Sequence, residues 1–263
     1  MMETLDLSVD DRGVATVTLS RVEKHNAMDA VMIRELTEVA GRLGKDPAVR
    51  VVILTGAGRS FCAGGDLGWM RDQMAADGAT RAREAGALAG MLGALDRMPK
   101  PLIGRIQGQA FGGGVGLMAV CDVAIGVTGA RFGLTEVRLG LIPATIGPYV
   151  VARMGAAKAR RVFFSARLFD ADEAVELDLL ARAVSPDDLD AAIEAEITAY
   201  LSAAPGAVAA GKALVAKLGG AVSEAQVADS IDALVGRWED PESAEGIAAF
   251  FDKRPPEWIR GGD

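Results

Sequence analysis

Two glycine-rich loops, each placed directly after a short and largely apolar segment, constrain the fold of this chain more than any other feature. The apolar segments are residues 51–54 and 102–107, and both are typical of buried β-strands. The loops span residues 56–66 and 108–116, and each leads toward a helix. A third buried strand is predicted at residues 123–127. This repetition of strand, loop and helix predicts an α/β fold in which helices pack against sheets.

The remaining elements are predicted from periodicity and from capping residues. Alternating apolar and polar residues at 3–10 and 14–20 indicate a hairpin. Asp29 is the expected N-cap of a helix that ends near Lys45, and a second helix is expected over 79–98. Strand signals fade after about residue 155, and the rest is predicted to be helical at 157–166, 171–178, 186–203, 206–218, 223–237 and 242–252.

The Pro205-Gly206 pair marks a soft boundary near residue 200. The chain is therefore predicted to consist of a core, residues 1–200, and a C-terminal helical region, residues 201–263.

Charge and cysteine count exclude several classes of function. The formal net charge is −8 and no basic stripe is present, so nucleic-acid binding is not expected. Two cysteines cannot build a disulfide framework or a four-ligand zinc site. No stretch approaches the roughly 18 apolar residues of a membrane helix, and the acidic N-terminal segment does not resemble a signal or transit peptide. The sequence predicts a cytoplasmic protein that has no membrane partner.

The glycine loops suit the binding of negative charge, because backbone N–H groups are free where a helix begins and small residues let a ligand approach them. Residues 114–119 also fit the dinucleotide fingerprint, and Glu136 lies at a suitable distance beyond Gly116. In a dinucleotide-binding fold that acid would end the next strand, which here ends near Val127 without one. Dinucleotide binding is therefore disfavoured.

Five segments, in order, match motifs of the crotonase (enoyl-CoA hydratase/isomerase) superfamily, and the resemblance covers nearly the whole chain. The segments are residues 21–28 (RVEKHNAM, with Val22 in place of the usual proline), 61–67 (FCAGGDL), 108–122 (GQAFGGGVGLMAVCD), 132–143 (FGLTEVRLGLIP) and 250–256 (FFDKRPP). Each motif is weak alone, but the five together at these separations are strong.

The resemblance implies a spiral of ββα units followed by a C-terminal helical region that mediates trimer formation, and hence a homotrimer or homohexamer. It implies an acyl-CoA thioester substrate held by an oxyanion hole, whose donors are the N–H groups of Gly65 and Gly113. No metal or redox cofactor is expected, since coenzyme A is part of the substrate.

The chain departs from the family pattern at one catalytic position. Family hydratases typically use two glutamates; the second matches Glu136, and the first position is Gly116 here. One carboxylate can shuttle a proton between two carbons, as isomerisation requires, whereas hydration is divided more easily between two. The combination of residues 112–117, 136–141 and 143–151 resembles bacterial 3-methylglutaconyl-CoA hydratases and related enzymes, and it favours a hydratase for a branched or glutaconyl-type enoyl-CoA. A 3,2-enoyl-CoA isomerase and a weakly catalytic acyl-CoA-binding protein are the alternatives.

Several further residues are candidates for the substrate site. Ala63, Gly64 and Gly112 belong to the two loops, and Asp66 is expected mainly to cap the next helix. Trp69 is expected to line the acyl pocket or to pack in the core, and Arg138 to pair with a dicarboxylate substrate or to be solvated. The candidates for binding the phosphates of coenzyme A are Arg21, Lys24, Lys253 and Arg254, with a solvated surface position as the alternative for each.

The sequence does not favour nucleophilic catalysis. His25 is the only histidine and lies far in sequence from both glycine loops, so neither Cys62 nor Cys121 has an evident base partner. Both cysteines are expected to be small buried hydrophobic residues.

Overall fold

The structure, a computed structural model, describes residues 2–259 as two β-sheets surrounded by helices. Residues 260–263, the end of the predicted helical region, and Met1 lie outside the described residues. The strands are β1 Leu5–Val9, β2 Val14–Leu19, β3 Val51–Gly56, β4 Ser60–Cys62, β5 Leu102–Ile106, β6 Gln109–Phe111, β7 Val123–Val127, β8 Arg131–Gly133, β9 Leu168–Asp170 and β10 Arg182–Val184. The larger sheet has the order β1-β2-β3-β5-β7-β10, and the smaller has the order β4-β6-β8-β9.

The helices cover the two sheets and one another. They are α1 Ala30–Lys45, α2 Leu67–Ala75, α3 Gly78–Asp96, α4 Gly113–Ala119, α5 Gly147–Phe163, α6 Ala171–Glu176, α7 Leu189–Leu201, α8 Pro205–Gly219, α9 Glu224–Glu239 and α10 Pro241–Asp252. Short 3₁₀ turns lie at Val22–Lys24, Glu136–Leu139 and Pro186–Asp188.

The chain forms a spiral of ββα units. β3, β5 and β7 pair in parallel in the larger sheet, and the next strand in each case, β4, β6 or β8, joins the smaller sheet. Every residue of β3 is buried, because the strand has a neighbour on each side and packed helices above the sheet. Each glycine-rich loop is therefore the corner at which the chain leaves one sheet for the other.

The predicted hairpin and first helix are confirmed. β1 and β2 are antiparallel, with Leu5 opposite Leu19. The Asp29 carboxylate accepts a hydrogen bond from the N–H of Met32, which satisfies one of the free donors at the start of α1. The predicted strands at 51–54, 102–107 and 123–127 correspond to β3, β5 and β7.

The prediction was wrong about strands in three places. It treated residues 56–66 and 108–116 as loops, but these contain the three-residue strands β4 and β6. It placed no strand at residues 131–133, where β8 lies, and none after residue 155, where β9 and β10 lie. Strands of three residues are too short for an alternation to be recognised, and their pairing partners are distant in sequence.

The helix predicted at 157–166 spans Gly147–Phe163 instead. Pro148 stands in its first turn, where a proline costs no hydrogen bond. Gly155 interrupts it with φ 73° and ψ 152°, so that two helical pieces meet at a bend. The prediction found only the second piece because the bend disrupts the helical period.

The C-terminal helices pack back onto the core of the same chain. α9 contacts α3, and α10 contacts the turn Glu136–Leu139. α8 has no buried residue and exposes Leu214, Val215 and Leu218. The predicted boundary near residue 200 and the predicted trimer interface stay predictions.

In residues 2–259, no single helix is long and apolar enough to cross a membrane, although the bent pair Pro186–Leu201 and Pro205–Gly219 meets the criterion of length and composition jointly.

Candidate active site

The first glycine loop is held against the segment that precedes α1. The N–H of Met28 donates to the carbonyl of Gly64 at 2.7 Å, and the N–H of Asp66 donates to the carbonyl of Met28 at 2.8 Å. These two bonds bracket Gly65, whose own N–H donates to no acceptor within the described residues. The loop therefore offers one backbone donor held in a fixed position.

Asn26 fixes the start of this loop. It is fully buried in the left-handed conformation, φ 57°, which asparagine tolerates better than most residues. Its amide nitrogen donates to the carbonyls of Ala57 at 2.9 Å and Ser60 at 2.8 Å, and its Oδ1 accepts from the N–H of Arg21 at 3.0 Å. Asn26 thus satisfies backbone groups of the β3–β4 corner that have no partner in either sheet.

The second loop presents a similar donor. Gly112 has φ 48° and ψ −116°, a conformation that requires glycine, and it turns the chain from β6 into α4. Gly113 is the first residue of that helix, so its N–H has no partner in the helix. A Cβ added at Gly64 would lie 3.8 Å from the nitrogen of Gly113, which shows that the two loops are in contact.

Glu136 is the only acid among the residues that line the cavity beside these loops. Its Oε1 lies 2.9 Å from the position that a Cβ at Gly112 would take. Its Oε2 is buried and accepts no hydrogen bond from the part of the chain that the structure describes. Burial of the carboxyl group raises the pKa of Glu136 from 4.5 to about 7.

The cavity is small and mostly apolar. Its volume is about 130 Å³, and a single water needs about 10–15 Å³ by the same measure. It can therefore hold a short acyl group together with a reacting water. Gly65, Gly113 and Glu136 line one part of it, and the other walls are Met28, Ile33, Trp69, Met70, Gln73, Arg81, Ala85, Leu88, Leu141, Ile142, Pro143, Ala144, Thr145, Ile146, Leu234 and Trp238.

Gly116 is fully buried in α4, with no room for a side chain. A Cβ there would lie 2.6 Å from Cγ2 and 3.0 Å from Cβ of Ile146, and 3.7 Å from Cδ1 of Leu92. The space into which a glutamate at position 116 would extend is therefore occupied by Ile146. The chain therefore lacks a carboxylate at position 116, and Ile146 fills the space that it would need.

We expect Gly116→Glu to lower the free energy of unfolding by at least about 1–3 kcal/mol, the usual cost of overpacking a core, with a further cost for the buried carboxylate. Thermal or urea unfolding measures this. Adding Ile146→Ala to Gly116→Glu should restore part of the lost free energy of unfolding, because it removes the side chain that occupies the same space. Gly90→Glu is the matched control, since Gly90 lies on the exposed side of α3 with no atom within 4 Å of an added Cβ. Equal stability of the position-116 and position-90 variants would contradict the packing at Gly116.

Asp66 has the capping role that was predicted for it. Its side chain accepts from the N–H groups of Gly68 at 2.8 Å and Trp69 at 3.2 Å, at the start of α2. It also forms an ion pair with Arg21 at 3.2 Å. These hydrogen bonds and the nearby cations hold the pKa of Asp66 below its usual value, against the effect of burial.

The other predicted substrate contacts divide into two groups. Trp69 and Gly65 line the cavity, whereas Ala63, Gly64 and Gly112 belong to the two glycine loops but are not among the residues that line it. Arg138, Lys24 and Lys253 are exposed and are not among the residues that line it. Their contacts with a substrate stay predictions.

Nucleophilic chemistry has no support in the site. His25 Nδ1 lies 3.1 Å from Ser60 Oγ, and Nε2 lies 3.2 Å from Arg59, so neither cysteine is its partner. Cys62 and Cys121 are fully buried, and burial raises the pKa of each thiol to about 12. Thiols of this kind are inert at neutral pH.

Sequence reasoning missed several residues of the cavity wall. Gln73 and Arg81 come from α2 and α3, and Leu234 and Trp238 from α9. The i, i+4 spacing of Trp69 with Gln73, and of Leu234 with Trp238, was the available signal, because such pairs share one helix face. It does not show which helices meet at the cavity.

The arrangement can stabilise an oxyanion and move a proton. Gly65 and Gly113, each with a backbone N–H that has no partner in its own loop or helix, line one mostly apolar cavity, where such donors act strongly on developing negative charge. The carboxyl group beside them has a pKa near neutrality, the range in which a group serves well as both acid and base.

Comparison with known proteins gives one consistent result. The family model described as enoyl-CoA hydratase/isomerase matches residues 10–261. The chain is 36% identical over 241 residues to the enoyl-CoA hydratase ACTT6 of Alternaria alternata, with 90% of this chain and 78% of the relative covered. It is 31% identical over 263 residues to a short-chain-enoyl-CoA hydratase of Clostridium acetobutylicum, with 98% and 99% covered. The crystal structure of an enoyl-CoA hydratase from Shewanella pealeana superimposes with a TM-score of 0.80 at 40% identity, over 98% of this chain and 96% of the other.

Proposed function

Because the chain belongs to the enoyl-CoA hydratase/isomerase family, we propose that it adds water across the 2,3 double bond of an enoyl-CoA thioester. The observation that carries the proposal is the buried carboxyl group of Glu136, which lines the same cavity as the free N–H groups of Gly65 and Gly113. The relatives from Alternaria alternata and Clostridium acetobutylicum are named as enoyl-CoA hydratases, which supports the same reaction.

In the proposed reaction Glu136 moves one proton. The ionised carboxylate takes a proton from water as the water oxygen bonds to C3. The π electrons of the C2–C3 bond shift onto the thioester oxygen, and the N–H groups of Gly65 and Gly113 stabilise that charge. Glu136 then gives the proton to C2, which returns the electrons from the oxygen and leaves a 3-hydroxyacyl thioester. A pKa of about 7 leaves both forms of Glu136 accessible for these steps.

We propose a branched or glutaconyl-type substrate such as 3-methylglutaconyl-CoA. The likeness of residues 112–117, 136–141 and 143–151 to that branch supports it, and so does the small volume of the cavity. The substrate's own distal carboxylate, or another side chain, supplies part of the function of the missing glutamate at position 116.

A 3,2-enoyl-CoA isomerase is the second candidate, favoured by the contact between Gly116 and Ile146. With that space filled, Glu136 is the one carboxyl group available to take a proton from C2 and return it to C4. This reaction uses the same oxyanion donors and needs no reacting water.

The proposal extends to the state of the protein in the cell. We propose a cytoplasmic homotrimer or homohexamer that uses no cofactor other than the coenzyme A of its substrate. The exposed apolar residues Leu214, Val215 and Leu218 of α8 support an interface in the C-terminal region.

Incubation with 3-methylglutaconyl-CoA, crotonyl-CoA and a 3-enoyl-CoA in heavy-oxygen water, read by mass spectrometry, tests the reaction. Heavy oxygen in a 3-hydroxyacyl product establishes hydration. Conversion of the 3-enoyl-CoA to an unlabelled 2-enoyl-CoA, with no hydration, would replace the proposal by isomerisation. Tight binding of all three without turnover would contradict both.

A further inference from the structure

Helix α2 directs two polar groups that have no partner into the cavity. Trp69 and Gln73 are one helical turn apart and both line it. The indole Nε1 of Trp69 is buried and donates to no acceptor in the described chain. Gln73 is 6% exposed as a residue, and its side-chain amide makes no hydrogen bond with residues 2–259. Buried polar groups are nearly always paired, so the buried indole N–H of Trp69 requires an explanation, and the amide of Gln73 beside it is free to bind the same partner.

Arg81, on α3, lies beside them. Its Nε donates to the backbone carbonyl of Gln73 at 2.9 Å, and its Nη2 donates to that of Met74 at 3.0 Å. Its guanidinium carbon lies 5.6 Å from the ring centre of Trp238, which forms the facing wall. No carboxylate of the described residues lies within ion-pair distance of Arg81, and its Nη1 keeps its donors for another partner.

We infer that Trp69, Gln73 and Arg81 bind a carboxylate at the far end of the acyl chain. The indole and the guanidinium can only donate hydrogen bonds, and the amide of Gln73 can turn its NH₂ group the same way. A carboxylate can only accept hydrogen bonds, and its negative charge would pair with the positive charge of Arg81, which has no ion-pair partner among the described residues. An uncharged alkyl chain would leave the indole N–H of Trp69, the amide of Gln73 and the Nη1 of Arg81 without partners in a mostly apolar cavity, which is unfavourable.

The positions of these groups fit a short dicarboxylic acyl chain. The six-membered ring of Trp69 lies 3.6 Å from the position of a Cβ at Gly65, so this side chain extends into the cavity from beside the proposed oxyanion donor. Residues four apart on a helix have Cβ atoms roughly 5–6 Å apart, which places Gln73 and Arg81 a few carbon atoms further along the chain. The inference rests on the proposed function, because it takes the cavity to be the acyl pocket, and it assigns the distal carboxylate to Arg81 instead of the exposed Arg138.

Binding of two saturated thioesters tests the inference separately from the reaction. Glutaryl-CoA carries the distal carboxylate, and butyryl-CoA lacks it. By titration calorimetry the protein should bind glutaryl-CoA at least about 10-fold more tightly. Arg81→Met should weaken glutaryl-CoA binding by about 10- to 100-fold, the range for a hydrogen-bonded charge, and change butyryl-CoA binding by less than about 3-fold. Arg81→Lys should retain part of the preference. Arg83→Met, on the same helix but exposed, is the matched control and should change neither affinity.

Arg81 also holds the end of α2, so a second variant keeps the test decisive if Arg81→Met does not fold. Gln73→Glu preserves the shape of the side chain and adds a repelling charge, and it should weaken glutaryl-CoA binding at least about 10-fold while leaving butyryl-CoA binding nearly unchanged.

Equal affinity of the parent protein for both thioesters, or equal losses for both in the variants, would overturn the inference. If the protein hydrated crotonyl-CoA but bound glutaryl-CoA no more tightly than butyryl-CoA, the proposed function would hold and the inferred carboxylate site would be wrong. If the protein preferred glutaryl-CoA but turned over no enoyl-CoA, the inferred carboxylate site would hold and the proposed function would be wrong.

Discussion

Replacing Glu136 by glutamine is expected to lower turnover of the best enoyl-CoA by about 10²–10⁴-fold, the usual contribution of a general acid–base group. Glutamine fills the same space but neither takes nor gives the proton. In the parent protein, kcat/KM should rise with pH through about 7, because the ionised carboxylate begins the reaction. The residual activity of the variant should lack this dependence. Steady-state kinetics from pH 5.5 to 9 measure both effects, and parental activity in Glu136→Gln would remove Glu136 from the mechanism.

Glu136→Gln should lower activity but raise the free energy of unfolding at neutral and higher pH. Burial raises the pKa of Glu136 in the folded protein above its unfolded value, from 4.5 to about 7. The stability that this carboxyl group contributes is thus fully present only below pH 4.5 and is lost as pH rises through about 7. Glutamine does not titrate, so the stability of the variant relative to the parent should rise by roughly 2–3 kcal/mol between pH 5 and pH 8, at 1.36 kcal/mol per pKa unit. Urea unfolding at both pH values provides the control that the loss of activity is not a loss of folding.

The long strands of the fold could be predicted from the sequence, and the short ones could not. β3 is an unbroken apolar run between turn residues, and its burial follows from its own composition. β4, β6 and β8 have three residues each, and they are strands only because the spiral brings them side by side. Their existence depends on tertiary pairing, which a local pattern does not record.

The candidate site divides in the same way. Gly65, Gly113 and Glu136 belong to motifs that resemble one family, and the structure brings them to one cavity. The sequence also shows that position 116 has no carboxylate. It does not show that Ile146 fills the space beside Gly116, because that depends on the contact between α4 and the segment that precedes α5. Trp238 reaches the cavity only because α9 folds back against α3. Nothing in the helical periodicity of α9 specifies that contact.

Gly112 directly precedes Gly113, the proposed oxyanion donor, and it also lies beside the carboxyl group of Glu136. Alanine there would be held at φ 48° and ψ −116°, a strained conformation that costs on the order of 1–3 kcal/mol. Its Cβ would lie 2.9 Å from Oε1 of Glu136, so either the carboxyl group or the N–H of Gly113 has to move. Loss of one aimed oxyanion donor typically costs about 10²–10³-fold in rate. We therefore expect Gly112→Ala to lower kcat by at least about 10²-fold.

Gly129→Ala separates this effect from backbone strain. Gly129 also has a positive φ, 85°, but it is exposed and an added Cβ there meets no atom within 4 Å. Both variants should lose stability, and only Gly112→Ala should lose activity, as measured by kcat alongside thermal unfolding. A restoration of activity on adding Glu136→Asp to Gly112→Ala would show that the clash with the carboxyl group is the main damage, because aspartate withdraws the carboxylate by one methylene. No restoration would locate the damage at the N–H of Gly113. If Gly112→Ala and Gly129→Ala were equally active, the second loop would not form part of the catalytic site.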